Sequence, residues 1–458
     1  MKLTKLDNDD IIRKGDLMFQ NSKIFILGMA RSGYEAAKFL ATKGNQIFVT
    51  DLKDQSEDQK KKLLDLGVSF EVLEHPEDVL DKSYSCLIKN PGIRKDHPCV
   101  LKAKELGIPV INEMEMAYHF LPQVTIVGIT GSNGKTTTTT LLYEMLKRDG
   151  KRVHLGGNIG YPLSSLLGEI ETGDILVLEI SDHQLVDFKD FKTNISIMTN
   201  LSEVHLDFHG TYDIYKQVKK KIFEHHTDQD LAVINSGDSD VIDLTSDIPS
   251  KKITFSALKE ADIYISENMI CYQNENVISL DEIKLKGNHN YENFMCACVV
   301  ALKLGVSMES IKEVAHNFGG VEHRLEYVRT IDAVSYYNDS KATNIESTII
   351  AVNSFKNPIH LILGGLDRGH AFEPLNPYLG HVKEIYCYGE TKDRIADWAD
   401  TKKIPVHVFD TLKEATICAS NQAENDEIVL LSPACASWDQ YPRFEDRGDE
   451  FKNIVNNI

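Results

Sequence analysis

Short apolar runs alternate with segments of helical period along nearly the whole chain. KIFILG (23–28), QIFVTD (46–51) and SCLIKN (85–90) come early, and VTIVGIT (124–130), DILVLEI (174–180) and NISIMTN (194–200) in the middle. PIHLILGG (358–365), KEIYCYG (383–389) and EIVLLSP (427–433) come late. Each run is the length of a buried strand, and the strand-helix alternation predicts α/β layers around mainly parallel sheets. The pattern breaks at YHFLPQ (118–123), where Pro122 precedes a fresh strand, and at NFGGVEHR (317–324), where paired glycines end a helix. At about 150 residues per domain, the breaks predict three domains over 1–119, 120–320 and 321–458.

One helical segment, TYDIYKQVKKKIFEH from Thr211, carries three consecutive lysines. At 100° per residue, Ile214, Tyr215, Val218, Ile222 and Phe223 mark its apolar face. Lys219 falls at the edge of that face, Lys220 nearly opposite and Lys221 between them. A solvated basic face accounts for Lys220 and Lys221; Lys219 is set apart by position.

Composition narrows the functional classes. A hydrophobic share of 42% and a charged share of 26% describe an ordinary globular chain. The net charge of -19 argues against general binding to nucleic acid or to anionic membrane surfaces, so an anionic ligand must be met by local basic residues. The first twenty residues lack the apolar core of a signal peptide, and no apolar run is long enough to span a bilayer, which predicts a cytoplasmic protein. The eight cysteines are scattered without CxxC pairs, as expected of buried free thiols.

VTIVGITGSNGKTTTTTLLYEML reads as strand, glycine-rich turn and helix. In that setting Gly131, Ser132, Asn133 and Gly134 can cradle phosphates with backbone N–H groups, Lys135 can neutralise charge, and Thr136 can reach Mg²⁺, with Thr137 beside it. Ile129 stands where a longer phosphate-loop form has glycine, so the match is to T-G-S-N-G-K-T. Glu179 ends a strand, and His205, Asp207 and His209 follow another; strand ends face the ligand crevice of such sheets, so Glu179 and His205 are candidate metal ligands, with His183 a further candidate. Gly28, Ala30 and Gly33 give G-x-A-x-x-G, in which alanine weakens a dinucleotide reading and leaves NAD as an alternative to another nucleotide diphosphate. NDSKATN supplies Asp339, Lys341 and Thr343; LGGLDRG supplies Arg368; the segment after EIVLL supplies Ser432, Ser437 and Phe444. These clusters all follow strands and should gather on one rim.

TGSNGKTT, LEIS, GNHNYEN, EHRLE, NDSKATN and LSPACASWDQYPRFEDRG, in this order, resemble the Mur ligases, ATP-dependent amide-forming enzymes of peptidoglycan synthesis, and the last two strings most resemble the branch that adds D-glutamate. The resemblance implies an N-terminal Rossmann-like domain for a UDP-sugar, a central P-loop ATPase-type domain and a C-terminal Rossmann-like domain for the amino acid. It implies UDP-N-acetylmuramoyl-L-alanine contacts at Ser32, Asn90, Gly92, Asn158, Gln184 and His205. It implies ATP contacts at the phosphate loop and at Asn290, Asn293, Arg324 and Asp339, and D-glutamate contacts at Thr343, Arg368, Ser437 and Phe444. Arg368 stands where a lysine is common. Lys135, Lys219, His205 and Lys341 are the implied catalytic set; Thr136, Glu179, His205 and Lys219 the metal set, with two Mg²⁺ ions and a carbamate on Lys219. A monomer that closes its third domain on its second is expected. Another ligase of the superfamily, such as a folylpolyglutamate synthetase, or a nucleotide-binding regulatory module would share parts of this pattern.

Overall fold

The computed structural model describes residues 18–52, 57–367, 369 and 371–458. Among them, three sheets follow one another along the chain. In the first, β1 (Lys23–Leu27), β2 (Gln46–Asp51), β3 (Ser69–Val72), β4 (Cys86–Lys89) and β5 (Val110–Ile111) are parallel in the order β3-β2-β1-β4-β5. The second holds β6 (Thr125–Thr130), β7 (Val153–Gly157), β8 (Ile175–Glu179), β9 (Ile195–Met198), β10 (Leu231–Asn235), β11 (Lys251–Ser256), β12 (Ile263–Ser266), β13 (Met269–Tyr272) and β14 (Glu275–Ser279). Its order is β14-β13-β12-β11-β10-β9-β6-β8-β7, parallel from β7 through β12 and antiparallel beyond.

The third sheet holds β15 (Glu326–Ile331), β16 (Val334–Asn338), β17 (Ile359–Gly364), β18 (Val382–Tyr388), β19 (Val406–Val408) and β20 (Ile428–Leu431). Its order is β15-β16-β20-β17-β18-β19, with only the β15/β16 pair antiparallel. All nine apolar runs of the sequence lie in parallel strands. Strands such as β4, β8, β17 and β20 are buried at every position, as parallel strands covered on both faces must be.

The chain forms two compact units, one ending at Phe318 and the other spanning Gly319–Ile458. Within the first unit, a single apolar cluster runs from Ile26, Leu40 and Met114 of the first sheet's layers to Ile126, Leu163, Leu185 and Phe191 of the second's. Polar groups lock the same seam. Glu115 on helix Glu113–Tyr118 accepts the N–H groups of Lys189, Asp190 and Phe191 at 2.8–3.2 Å, and Asn112 donates to the Gln184 carbonyl at 2.6 Å. The architecture is therefore three α/β domains, the first two sharing one core.

Strand order also fixes where ligands can be held. Connections leave in opposite directions at β1 in the first sheet and at β6 in the second, and a crevice opens beyond the strand ends at such a switch point. The glycine turn follows β1 and the phosphate loop follows β6.

Candidate active site

The phosphate loop is built by close packing that only glycine permits. Gly131 has φ 143°, and a Cβ there would lie 2.0 Å from Thr199 Oγ1; Gly134 has φ 82°, and its Cβ would lie 2.2 Å from Asn293 Oδ1. Neighbouring loops pin the turn. Ser132 N donates to the Asn200 carbonyl at 2.8 Å, Asn133 N to Asn200 Oδ1 at 2.8 Å, and Thr199 Oγ1 to the Asn133 carbonyl at 2.6 Å. The Ser132 hydroxyl lies 2.8 Å from the Tyr215 hydroxyl. Lys135 and Thr136 open helix Lys135–Arg148, with Thr137 next; Lys135 Nζ folds back onto the Gly131 and Ser132 carbonyls, both at 2.8 Å. Asn293 is buried against this turn, whereas Asn290, one turn earlier on helix Asn288–Lys303, directs its amide to the Lys286 carbonyl.

Beside the loop, one buried carboxylate gathers four cationic or ionisable groups. Asp182 Oδ2 lies 3.1 Å from His183 Nδ1, 3.0 Å from His205 Nδ1 and 2.7 Å from His209 Nε2, and its Oδ1 lies 3.5 Å from Lys219 Nζ. Burial pushes the Asp182 carboxyl up, but the hydrogen bonds from the histidines and the Lys219 charge overcome it and hold the group far below the carboxylate range. Lys219 is fully buried on helix Tyr212–Lys220 and donates to Thr130 Oγ1 at 3.1 Å and the Gly131 carbonyl at 3.0 Å. Burial, then the Lys135 charge, pull its ammonium down to about 7, against Asp182 and Glu179.

Glu179 is buried at the end of β8. Asn158 donates to its Oε1 at 2.7 Å, while Oε2 is buried without a hydrogen-bond partner. The Asp182, His183 and His205 ligand atoms lie within 4.8 Å of one another and fit a divalent cation, and the unpartnered Glu179 Oε2 at the end of β8 is a further carboxylate donor. His205 is held in the left-handed region at φ 54°, which turns it toward Asp182. Gln184 Oε1 accepts from Ser181 N and Oγ, both at 2.9 Å, in a capping box.

In the first domain a cleft of about 440 Å³ opens at the switch point, lined by Gly28, Ala30, Thr50, Asp51, Asn90 and Gly92 among others. Asn90 Nδ2 reaches Ser32 Oγ at 3.5 Å, and Gly92 N donates to Asn90 Oδ1 at 3.1 Å. Asp51 Oδ2 accepts from Met29 N at 2.6 Å, so the carboxylate that a dinucleotide reading would give to a ribose ties down the glycine turn instead.

The second unit places its polar clusters as the strand order requires. β16, β20 and β17 are parallel neighbours, so the loops after Asn338, Leu431 and Gly364 share one rim. Asp339 is buried, accepting from Ser432 Oγ at 2.7 Å and Leu325 N at 3.1 Å; burial pushes its carboxyl up to about 7 despite these bonds and the Arg324 charge. Lys341 Nζ stands 5.8 Å from the centre of the Phe444 ring, and Thr343 N donates to the Lys341 carbonyl. The Ser437 hydroxyl is buried without a hydrogen-bond partner. Arg368 lies outside the described residues.

The structure thus brings together the loop, Lys219, Asn293 and, around Asp182, His205; Glu179 adjoins Asn158. Ser32, Asn90 and Gly92 cluster separately in the first domain. Three expectations are corrected. Ile214 is exposed and off the apolar face of its helix, which ends at Lys220 in a tighter turn carrying Ile222 and Phe223. Lys219 is fully buried and not at an edge. Lys221 is half-buried, donating to the Val186 and Phe188 carbonyls, whereas Lys220 does pair with Asp247 at the surface.

Two organising residues have no counterpart in the sequence reading. Asp182 could have been found as the polar residue that opens a helix directly after a buried strand. Arg447 is fully buried and donates to Ser340 Oγ, the Ser340 carbonyl, the Cys435 carbonyl and the Gly364 carbonyl, tying the three rim loops together. Its signal is periodicity, since it stands at four-residue spacing with buried Phe451 and Val455.

Comparison with known proteins agrees along the chain. Residues 22–112 match the Mur ligase MurD-like N-terminal domain, 129–301 the Mur ligase middle domain, and 323–435 the Mur ligase glutamate ligase domain. UDP-N-acetylmuramoylalanine--D-glutamate ligase of Geobacillus kaustophilus (strain HTA426) is 42% identical over 96% of this chain and 98% of its own. The enzyme of that name from Bacillus cereus (strain G9842) is 41% identical over 96% and 98%. Among solved structures, UDP-N-acetylmuramate-alanine ligase MurC of Thermotoga maritima matches with TM-score 0.59 at 19% identity over 95% of this chain and 99% of that one, a likeness of fold. With identity of this level running through all three domains, the chain belongs to the Mur ligase family.

Proposed function

We propose that the chain uses ATP to join D-glutamate to the carboxylate of UDP-N-acetylmuramoyl-L-alanine, giving the amide, ADP and phosphate in peptidoglycan precursor synthesis. The observation that carries this reading is the 42% identity to a ligase of that name across 96% of the chain, so that the phosphate loop and the rim of the third sheet come with the same relative. The proposed domain limits are 1–119, 120–320 and 321–458.

A carboxylate is a poor acyl donor. Attack of its oxygen on the γ-phosphorus of ATP gives an acyl phosphate and ADP; attack of the D-glutamate amine on the acyl carbon then gives a tetrahedral intermediate that expels phosphate. The backbone N–H groups of the Gly131–Gly134 turn, with Lys135, are proposed to hold the ATP phosphates; Ser132 N and Asn133 N must release Asn200, and Lys135 the two carbonyls it caps, to do so. Asn290, Asn293, Arg324 and Asp339 are the remaining proposed ATP contacts. Lys341 and Arg324 supply positive charge for the phosphate or the oxyanion. Ser32, Asn90, Gly92, Asn158, Gln184 and His205 are proposed to hold the UDP-sugar substrate; Thr343, Arg368, Ser437 and Phe444 to hold D-glutamate. The buried Ser437 hydroxyl without a partner suits a ligand carboxylate.

Thr136, Glu179, His205 and Lys219 are the proposed magnesium-holding residues, for two ions. Magnesium, when bound, supplies positive charge to the transferring phosphoryl group. An ammonium at Lys219 would repel such a cation. With its pKa lowered to about 7, Lys219 has a substantial neutral fraction near neutral pH, and that amine can add CO₂ and lose a proton to give an anionic carbamate, with Asp182 orienting the histidines around it. A carbamate resonance from ¹³C-bicarbonate that disappears in Lys219→Ala supports this, and its absence in the wild type refutes it.

Among the described residues no helix is long and apolar enough to cross a membrane. A cytoplasmic monomer completes the proposal; sedimentation equilibrium giving twice the chain mass would count against it. The functional assay is phosphate release with each acceptor pair. Release is expected with UDP-N-acetylmuramoyl-L-alanine plus D-glutamate and not with folate plus L-glutamate; the reverse pattern removes the reading.

A further inference from the structure

The first unit has a second cleft, of about 460 Å³, that shares no lining residue with the switch-point cleft or the phosphate loop. Lys89, Lys95, Lys104, Lys189 and Lys221 line it around the single carboxylate of Asp187. In a chain of net charge -19, five ammonium groups gathered around one acid repel one another unless a counter-anion joins them.

The floor of the cleft is what separates it from a solvated basic surface. Lys89, at the end of β4, is 1% exposed and lies 2.6 Å from Asp187, itself 8% exposed. Beyond this ion pair, neither Lys89 Nζ nor Asp187 Oδ2 has a further hydrogen-bond partner among the described residues. An ammonium has three donors and no acceptor, and burying it without hydrogen bonds is costly. Lys221 Nζ donates to the Val186 and Phe188 carbonyls, and Glu224, Asp187 and Glu115 offset part of its charge. The exposed Lys95, Lys104 and Lys189 stand at the mouth, while buried Val100 and Phe188 form walls that a flat anionic surface could not reach past.

We propose that this cleft binds a small diphosphate-bearing anion, held jointly by Lys95 and Lys104 of the first domain and by Lys189 and Lys221 of the second, above the buried charge of Lys89. Several acceptor oxygens on a compact polyanion match the ammonium groups at the mouth, with the buried Lys89 charge beneath them. Lys221 stands two residues beyond Lys219, in the turn that follows its helix, so the occupied cleft would brace that turn from outside the catalytic groups.

The test is titration calorimetry of the full chain with inorganic pyrophosphate at low salt without magnesium, with orthophosphate as the monophosphate arm. Binding is expected in the wild type and in Lys135→Ala, which disables the phosphate loop. Affinity should fall about tenfold or more in Lys104→Ala/Lys189→Ala, whose side chains are exposed and whose loss leaves the fold intact, and equally in Lys95→Glu. Tighter binding of pyrophosphate than of orthophosphate supports a diphosphate ligand; equal binding overturns that assignment. Absence of binding to the wild type, loss of binding in Lys135→Ala alone, or unchanged affinity in both cleft variants overturns the site.

Discussion

Arg447→Met tests how the second unit holds its rim. The guanidinium is fully buried and donates at 2.9 Å to Ser340 Oγ, 2.8 Å to the Ser340 carbonyl, 3.0 Å to the Cys435 carbonyl and 3.4 Å to the Gly364 carbonyl. Methionine fills similar volume but leaves these acceptors without a donor, at about 1–3 kcal/mol for each buried group. Counting the three shorter bonds and crediting the apolar replacement with relief of a buried cation, the loss is about 3–5 kcal/mol. Both tryptophans of the chain, Trp398 and Trp438, lie in the second unit, so their fluorescence during urea unfolding reports on that unit alone. At a slope of about 2 kcal/mol per molar urea the midpoint should fall by about 2 M. Arg443→Met removes an exposed pair with Asp446 and should change stability by less than about 0.5 kcal/mol. If Arg447→Met loses less than about 1 kcal/mol, or no more than Arg443→Met, the guanidinium is not the clamp of these loops.

Gly131→Ala must place a Cβ 2.0 Å from Thr199 Oγ1 at φ 143°, so affinity for a non-hydrolysable ATP analogue, read by calorimetry, should fall at least about tenfold; unchanged affinity would contradict the cradle. Lys219→Ala should lower kcat by about 10³-fold with partial rescue by acetate, whereas Lys220→Ala, which breaks only a surface pair with Asp247, should leave kcat unchanged. The Asp339 carboxyl is raised from 3.8 to about 7, so the unfolded chain releases that proton first. Its contribution to stability is lost as pH rises from 3.8 to about 7, by at most about 4 kcal/mol, and is constant above. Asp339→Asn should remove that slope from tryptophan-detected unfolding; an unchanged slope assigns it to other groups.

The apolar runs were legible because a strand in a parallel sheet is buried on both faces and needs no alternation to be recognised. The ribbon β12–β14 and the β15/β16 hairpin were harder, being partly exposed and short. Their turns carry the signal instead. Glu267 and Asn268, Gln273 and Asn274, and Asp332 and Ala333 all have positive φ, the conformation of two-residue hairpin turns, and Asn is the residue that marks it best. The phosphate loop was legible to the residue because its glycines are required by contacts a Cβ would violate. Asp182 and Arg447 were not, because a buried charged side chain is defined by partners distant in sequence. Helical position separates Lys219 from Lys220 and Lys221 and the family resemblance implies its role, but its full burial depends on the Thr130 and Asp182 neighbours that only the fold supplies.

The most direct measurement of the central claim is mass spectrometry of the product formed from UDP-N-acetylmuramoyl-L-alanine, ATP and an equimolar mixture of isotopically distinguished D- and L-glutamate. The account predicts a product heavier by one glutamyl residue, labelled from the D isomer, with one ADP and one phosphate released per amide formed. A product labelled from the L isomer, or phosphate release without any glutamyl product, would contradict it.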